Sequence, residues 1–559
     1  MRSIYSDQSA IAGPLTNSKK LNFKPILSKQ ERAVLYVFLF IMLGCSAGFA
    51  WFLAGAAIAA GLNWLLIGSV ALVLLVEFIR LLQSLTLWVF AKNAKDPVPM
   101  VPETGLRIAV LTTIVPGKEP MDLVATTLRA MKQIDPGEGN TMDVWLLDEG
   151  DSPEVKAECE ALGVKHFSRK GVAKWNTASG PFKAKTKHGN HNSWRSQNEQ
   201  NYDIVAQMDP DHVPESNFLT RTLGYFADPD VGFVVAPQVY GNLKENWIAK
   251  ASAFQAYIFH GIIQRGGNGM GAPLLIGTNH LYRTKAFASI GGYQDSIIED
   301  HLTSMVIFGS ENIRTGNKWK GVYTPDILAV GEGPTSFTDY FNQQKRWAYG
   351  IWEIATKSTP SAVKKLTKSQ SLTFLMLQSF YPTVAISWLL STIVTLAFGF
   401  LEGTQTAFAP MLTIYWALSI VTSLWFFFWL RRFNLVEHER KDWGIQGMGL
   451  LLMCIPVYFS AAWEAITRKP LTYAVTAKGD LATPDTIRTF KPHINWFTLN
   501  LVGLFGLSLV GTGIASSEVW TVEHMALCLL PVSVYLGAKW TAIVSKPFRS
   551  VFASLRKAE

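Results

Sequence analysis

Cysteine is nearly absent: 559 residues hold four, Cys45, Cys159, Cys454 and Cys528, with no paired or metal-type spacing. That argues against both a disulfide-stapled fold and a zinc module. Charge is scarce too, at 17% of residues, too little for an ordinary soluble enzyme. No internal repeat or low-complexity tract is present, which sets aside solenoids and disordered linkers. No small-residue cleavage site accompanies the first apolar run, so that run reads as a retained anchor. The charge that remains is biased, to a net +9. Such a balance suits loops lying on anionic lipid and a site that holds a polyanionic substrate.

What the chain has in quantity is apolar sequence, 49% of residues, with a mean hydropathy of +0.17. Ala33 to Leu53 and Leu65 to Phe90 have membrane-spanning length and read as a helical hairpin. Arg32 and several lysines precede it and Lys92 and Lys95 follow it, so the positive-inside rule puts both flanks in the cytoplasm. From Arg107 to about Trp352 the pattern changes to short β-rich runs, RIAVLTT, DVWLLD, IVAQMD and GFVVA, separated by helical or polar stretches such as Met121 to Gln133. That alternation predicts a largely parallel α/β domain. Four more spans are expected at Phe374 to Leu401, Met411 to Leu430, Phe497 to Ile514 and Met525 to Val544. Trp443 to Trp463 is flanked by positive charge on both sides and reads as an interfacial helix. The expected layout is a cytoplasmic segment 1–32, a transmembrane hairpin 33–91 and a catalytic domain 92–352. An interfacial helix and two spans follow in 353–442, an interfacial helix and loop in 443–493, two spans in 494–545 and a tail in 546–559.

The chemistry-bearing residues fall at the ends of these runs. MDPDH places Asp209 and Asp211 after the strand IVAQM, where two carboxylates two positions apart can hold a hard divalent cation against a diphosphate. Asp148 and Glu149 end DVWLL at a position suited to a nucleoside contact. KTKHGN supplies Lys187, Asn190 and a glycine, Gly189, that permits backbone approach to a phosphate. Glu299 and Asp300 precede an apolar helical stretch, and a carboxylate there can act as general base. FNQQKRWAYGIWEIA sets Gln343, Arg346 and Trp347 on an amphipathic helix, an arginine fork for a diphosphate beside a flat face for a sugar ring. Taken singly, each also fits a turn, a helix cap or an aromatic belt.

In order and spacing these residues resemble the motif series of processive family 2 glycosyltransferases, the cellulose, hyaluronan and chitin synthase group, from about Arg107 to Lys478. The resemblance implies an α/β domain of GT-A type inserted in an all-α membrane domain of about six transmembrane helices, two before and four after, plus interfacial helices. It implies uridine contacts at Asp148 and Glu119, metal and diphosphate at Asp209 and Asp211, and the base at Asp300 beside Glu299. It further implies diphosphate contact at Arg346 and acceptor stacking at Trp347. LTYAVTAKG resembles the gating loop of bacterial cellulose synthase, with Thr476 and Lys478 toward the nucleotide, and tilts the donor toward UDP-glucose. The series departs from the family at three points: DEG stands for Asp-Asp-Gly, Ile298 for threonine and Tyr473 for phenylalanine.

The chain ends at Glu559, soon after the last run, so control by cyclic-di-GMP in cis is not expected. The implied activity is an inverting UDP-sugar polymerase that makes a β-glucan, β-1,4 favoured, at the plasma membrane and passes it across. Alternatives are a β-1,3- or mixed-linkage glucan synthase, a hyaluronan- or chitin-type synthase and a non-processive lipid-linked transferase. Mg²⁺ or Mn²⁺ is the expected cofactor. The expected partners are a UDP-sugar donor, a growing glycan, membrane lipid, and an export subunit or second copy of the chain, with no nucleic acid.

Overall fold

The structure, a computed structural model, describes residues 11–18, 20–59, 61, 64–400, 410–471, 481–509, 525–526 and 528–537. It opens with two long helices that pack together, α1 (Lys29–Ala59) and α2 (Trp64–Asn93). A capping box starts α1: the Ser28 hydroxyl donates to Glu31 at 2.8 Å and accepts the Glu31 N–H at 3.2 Å. Between α2 and the later helices lies a seven-stranded sheet: β1 (Arg107–Ile114), β2 (Thr141–Asp148), β3 (Lys165–Phe167), β4 (Ile204–Gln207), β5 (Val231–Val235), β6 (His280–Arg283) and β7 (Lys320–Tyr323). Their spatial order is β7-β5-β6-β4-β1-β2-β3.

Strand periodicity explains why both faces of the sheet are core. In β1, Ile108 and Val110 join the cluster under the helix α3 (Met121–Lys132), while Ala109 and Leu111 join the opposite one with Trp194 of α4 (Lys187–Asn198). A central strand buried on both sides must be apolar almost throughout, which is why these runs were legible. Truncating Leu128, fully buried in the first cluster, to alanine would cost about 2–5 kcal/mol. The sheet is largely parallel, as the sequence predicts, with one exception: β6 runs antiparallel to both β4 and β5. His280-Leu-Tyr-Arg has no apolar run to announce a strand, and its pairing comes from the partners on either side.

The membrane hairpin is fastened to this domain through a glycine-rich helix, α5 (Gln264–Met270). A Cβ added to Gly269 would lie 1.8 Å from the Asn93 carbonyl oxygen, and one on Gly266 would lie 2.6 Å from that of Phe90. Glycine is thus required where α5 meets the last turns of α2. Arg265 also pairs with Asp96 just beyond α2. Gly269→Ala is therefore expected to destabilise the protein by roughly 1–3 kcal/mol, since backbone cannot yield as a side chain does. A thermal midpoint in detergent equal to that of the unaltered protein would contradict this docking.

Further along the chain come α6 (Glu299–Gly309), α7 (Phe337–Lys357), α8 (Lys368–Phe400), α9 (Pro410–Leu430), α10 (Ile445–Met453), α11 (Ile455–Ile466) and α12 (Lys491–Leu509). Among the described residues, five stretches are long and apolar enough to cross a membrane: Lys29–Ala59, Leu66–Asn93, Lys368–Ile393, Ile414–Phe433 and Ile445–Ile466. The chain is a multi-pass membrane protein. The segment expected as one interfacial helix is instead two, α10 and α11, broken at Cys454 ahead of Pro456, and together they meet the length and apolarity of a span. They pack on α7 and on the helix Trp247–Ile258. Parts of the last two expected spans, of the N-terminal segment and the whole tail 546–559 lie outside the described residues.

Candidate active site

Register in the parallel part of the sheet brings three strand ends to one edge. Ile114 of β1 pairs with Asp148 of β2, and Leu111 with Gln207 of β4. The loops that leave these ends carry Glu119, Glu149 and the pair Asp209 and Asp211, the edge at which open α/β sheets bind ligands. A cavity of about 1200 Å³ lies there, lined by Glu119, Lys187, Asn190, Asp209, Asp211, Glu299, Asp300, Gln343, Arg346 and Trp347 among others. Residues separated by more than 200 positions in sequence thus face one space.

The metal-competent part is compact. Ligand atoms of Asp209, Asp211 and His212 lie within 4.8 Å of one another. The Oδ2 atom of Asp211 accepts the Glu332 N–H at 3.0 Å, which fixes a nearly buried carboxylate. Oxygen ligands with one imidazole fit Mg²⁺ or Mn²⁺. His212 was not among the residues singled out from sequence, although it stands next in MDPDH; it is fully buried, and neither ring nitrogen has a hydrogen-bond partner among the described residues.

Lys187, at the first turn of α4, reaches the metal-competent pair from the other side of the cavity. Its ammonium donates to Asp209 and to the Gly277 carbonyl. A Cβ placed on Gly277 would sit 3.7 Å from Asp300 Oδ2 and 4.0 Å from Lys187 Nζ, so Asp300 shares that corner. Thr278 accepts the Asp209 N–H on its hydroxyl at 2.9 Å. The Gly277–Thr278 segment ahead of β6 therefore joins metal-competent and basic carboxylates, and sequence reasoning missed it because nothing in Ile-Gly-Thr-Asn marks chemistry. Asn279 follows in the left-handed region, φ 52°, which asparagine tolerates, with its side chain donating to the Pro237 carbonyl at 3.0 Å.

Glu299 and Asp300 form the first turn of α6, with no side-chain cap at its N-terminus. Burial, and then the neighbouring Glu299 carboxylate, push Asp300 up to about 7, and burial raises Glu299 as well. Burial also lifts Glu119 to about 7, against the Val115 N–H that it accepts at 2.7 Å. A base with a value near 7 is half-charged at neutral pH, as proton abstraction requires. If Asp300 serves as the base, its charged form is the active one, and kcat/KM is expected to fall about tenfold per pH unit below roughly pH 7. A profile flat from pH 5 to 8 would exclude Asp300 as a group that must ionise. The next residue, His301, accepts the Gln378 amide of α8 at 3.0 Å, and burial lowers it to about 3, so it stays neutral in that role.

α7 begins at Ser336, whose hydroxyl accepts the Asp339 N–H at 3.1 Å, while the Asp485 carboxylate accepts the Phe337 and Thr338 N–H groups at 3.2 and 2.8 Å. Helical spacing then turns Gln343, Arg346 and Trp347 to the cavity. Lys345 pairs with Glu464 of α11 at 2.8 Å, locking that orientation. Thr476 and Lys478 lie outside the described residues; just past them, Thr483 N–H donates to Asp339 at 2.9 Å.

Two residues sit otherwise than the sequence suggested. Asp148 is fully buried off the cavity wall; its oxygens accept the Gly150 and Ser152 N–H groups, both at 2.7 Å, and Glu149 reaches the cavity in its place. Buried Arg169 steadies Glu149 at 2.6 Å and ties down the loop before α4 through the Trp175, Lys183 and Thr186 carbonyls. Gly189 makes room for that loop rather than for a phosphate: a Cβ there would meet the Lys183 carbonyl at 2.1 Å.

Residues 204–430, which include the metal-competent pair, the α6 carboxylates and α7, match the family model described as glycosyl transferase family group 2. The chain is 27% identical over 295 residues to the cellulose synthase catalytic subunit of Xanthomonas axonopodis pv. citri, covering 51% of this chain and 38% of that protein. Over 449 residues it is 26% identical to the Pseudomonas fluorescens cellulose synthase catalytic subunit, covering 75% and 56%. Residues 204–430 thus resemble glycosyl transferase family group 2, and the chain is similar over part of its length to cellulose synthase catalytic subunits.

A probable glucomannan 4-beta-mannosyltransferase from Oryza sativa subsp. japonica is 29% identical over 220 residues, 38% of each chain. The chain thus spans between about a third and somewhat over half of the length of these relatives. Among solved structures, a mannosyltransferase from Pyrobaculum calidifontis in complex with GDP-mannose and Mn²⁺ aligns with a TM-score of 0.41 at 13% identity, over 72% of this chain and 99% of that one.

Proposed function

We propose that the protein is a metal-dependent, inverting, processive transferase that builds a β-linked glycan from UDP-glucose and passes it across the membrane. The observation that carries this reading is the single cavity. It holds a cation-competent carboxylate pair, a carboxylate poised near 7, an arginine and a tryptophan, and it continues between α2, α8 and α9.

In this reading Asp300 takes the proton of the acceptor hydroxyl as that oxygen attacks the anomeric carbon. Arg346 and Lys187 hold the diphosphate, Glu119 and Glu149 meet the nucleoside, and Trp347 stacks on the acceptor ring. Asp209 and Asp211 would hold a divalent cation, which supplies charge neutralisation to the departing UDP. Burial of these groups strengthens each interaction relative to water.

A mannosyl donor is the second reading, favoured by the likeness to a glucomannan mannosyltransferase. The test supplies purified protein in turn with UDP-glucose, UDP-N-acetylglucosamine, UDP-glucuronate and GDP-mannose, with Mg²⁺ or Mn²⁺, and follows nucleotide release and labelled polymer. Glucanase-sensitive polymer from UDP-glucose alone is the expected result. Polymer from GDP-mannose alone would replace the donor, and nucleotide release without polymer would remove processivity.

A further inference from the structure

The lysines and arginines on the cavity wall divide into two sets. Arg80 is paired with Glu77 among the membrane-length helices, its Nε donating at 2.9 Å, and Lys187 and Arg346 stand among the interior carboxylates. Lys118 and Lys185 are different: both are exposed, and both line the end of the cavity that holds Glu119 and Glu149. The interior carboxylates are Glu119, Glu149, Asp209, Asp211, Glu299 and Asp300, so they outnumber the two interior cations. That leaves no surplus positive field inside to draw in a nucleotide whose diphosphate is itself anionic.

The backbone fixes where both lysines stand. Lys118 N–H donates to the Val115 carbonyl at 3.0 Å in a turn that Gly117 permits at φ 80°. Lys185 sits in the left-handed region at φ 58°, a conformation that costs a lysine and persists only where its surroundings impose it. Here Ala184 N–H donates to the Thr177 carbonyl at 2.9 Å on one side, and on the other Thr186 caps α4 by accepting the Gly189 N–H at 3.2 Å. The two loops flank the one after β2: a Cβ on Gly150 would lie 2.6 Å from Pro116 Cγ, and Arg169 ties Glu149 to the Lys183 and Thr186 carbonyls. Neighbouring lysines are engaged, Lys170 with the Gly150 carbonyl at 2.6 Å, Lys183 with Asp295 at 3.3 Å and Lys174 over the Trp175 ring. Among the described residues neither Lys118 nor Lys185 pairs with a carboxylate. A plain solvated loop would explain one exposed lysine; it does not explain two that face one cavity mouth, one of them on strained backbone.

We propose that Lys118 and Lys185 are steering residues, which raise the rate at which an anionic nucleotide enters the cavity without holding it once bound. The inference rests on the nucleotide-sugar reading above. Two like charges at the mouth of a cleft focus the field along its axis, and such fields raise association rates by about 10–10³-fold at low salt. Screening sets their reach, about 30 Å at 0.01 M ionic strength and about 3 Å at 1 M. Steering therefore fades with salt, whereas a direct contact to a bound phosphate is screened much less.

The test uses the full chain in an uncharged detergent and measures association and dissociation rates of UDP, with Mn²⁺ held constant, by stopped-flow tryptophan fluorescence. The variant carrying Lys118→Gln and Lys185→Gln is expected to bind UDP about tenfold more slowly at roughly 0.01 M ionic strength and within about twofold of the parent at roughly 1 M. Its dissociation rate should be unchanged, and replacing both lysines with arginine should keep the parent rate. Each single substitution should give part of the loss, and the singles decide the matter where the double variant does not fold. A structural role would not follow salt in this way. Parent-like association at low salt would overturn the steering alone. A faster dissociation that persists at 1 M would overturn it too, and make the lysines ligands of bound nucleotide. If the parent itself does not bind UDP, the nucleotide-sugar reading falls and the steering falls with it.

Discussion

Asp300→Asn is expected to lower sugar transfer by about 10²–10⁴-fold, the contribution of a positioned general base, while leaving nucleotide binding close to that of the unaltered protein. The same variant should not lose stability at neutral pH. The folded chain holds Asp300 at about 7, above its ordinary value, chiefly through burial. Between the ordinary value and 7 the folded state therefore keeps a proton that the unfolded chain has released, so stability falls as pH rises through that window. An uncharged amide escapes this penalty, and the thermal midpoint at pH 7.5 should equal or exceed that of the parent. Calorimetry and a nucleotide-release assay on one preparation measure both. Full activity in the variant would remove Asp300 as base; a lowered midpoint together with lost nucleotide binding would assign it to the scaffold instead.

Asp211→Asn has the second largest expected effect. Asp211 is buried with one oxygen fixed by the Glu332 N–H, and its ligand atoms cluster with those of Asp209 and His212. An amide cannot supply the second negative charge that a divalent cation needs beside a diphosphate. Transfer should drop by roughly 10³-fold, the factor that several kcal/mol of charge stabilisation implies. Raising Mn²⁺ should recover part of the loss, and chelation should abolish activity in the parent. Titration of Mn²⁺ in the presence of UDP reads the binding directly. If the variant binds the cation as the parent does, the pair is not a ligand set.

The parts of this site that sequence exposed are those where chemistry and periodicity coincide. β1, β2, β4 and β5 are apolar runs of strand length, and Asp148, Asp209 and Asp211 stand at or just past their ends. α7 was legible from its amphipathic spacing, which put Gln343, Arg346 and Trp347 together before any contact was known. β6 was invisible because its four residues have no pattern of their own. Asp148 and Gly189 each stand at a strand end or helix start where a ligand contact and a local backbone contact look alike in sequence, and the structure shows the backbone contact. Glu77 and Arg80 carried a usable signal, two opposite charges three residues apart in an apolar run, that the hairpin reading passed over.

By itself the sequence determined the division into membrane-length helices and an α/β domain, and the types of group available for catalysis. Both follow from local properties: hydrophobic run length, strand and helix periodicity, and side-chain chemistry. Only the tertiary structure decided which groups share a space. Lys187 bridging to Asp209 and Gly277, Asp300 at the same corner, Glu149 taking the cavity wall from Asp148, and Arg80 at the far end of the cavity all depend on strand register and helix docking. Those distances are set by packing between segments up to hundreds of residues apart, and no window of sequence contains them.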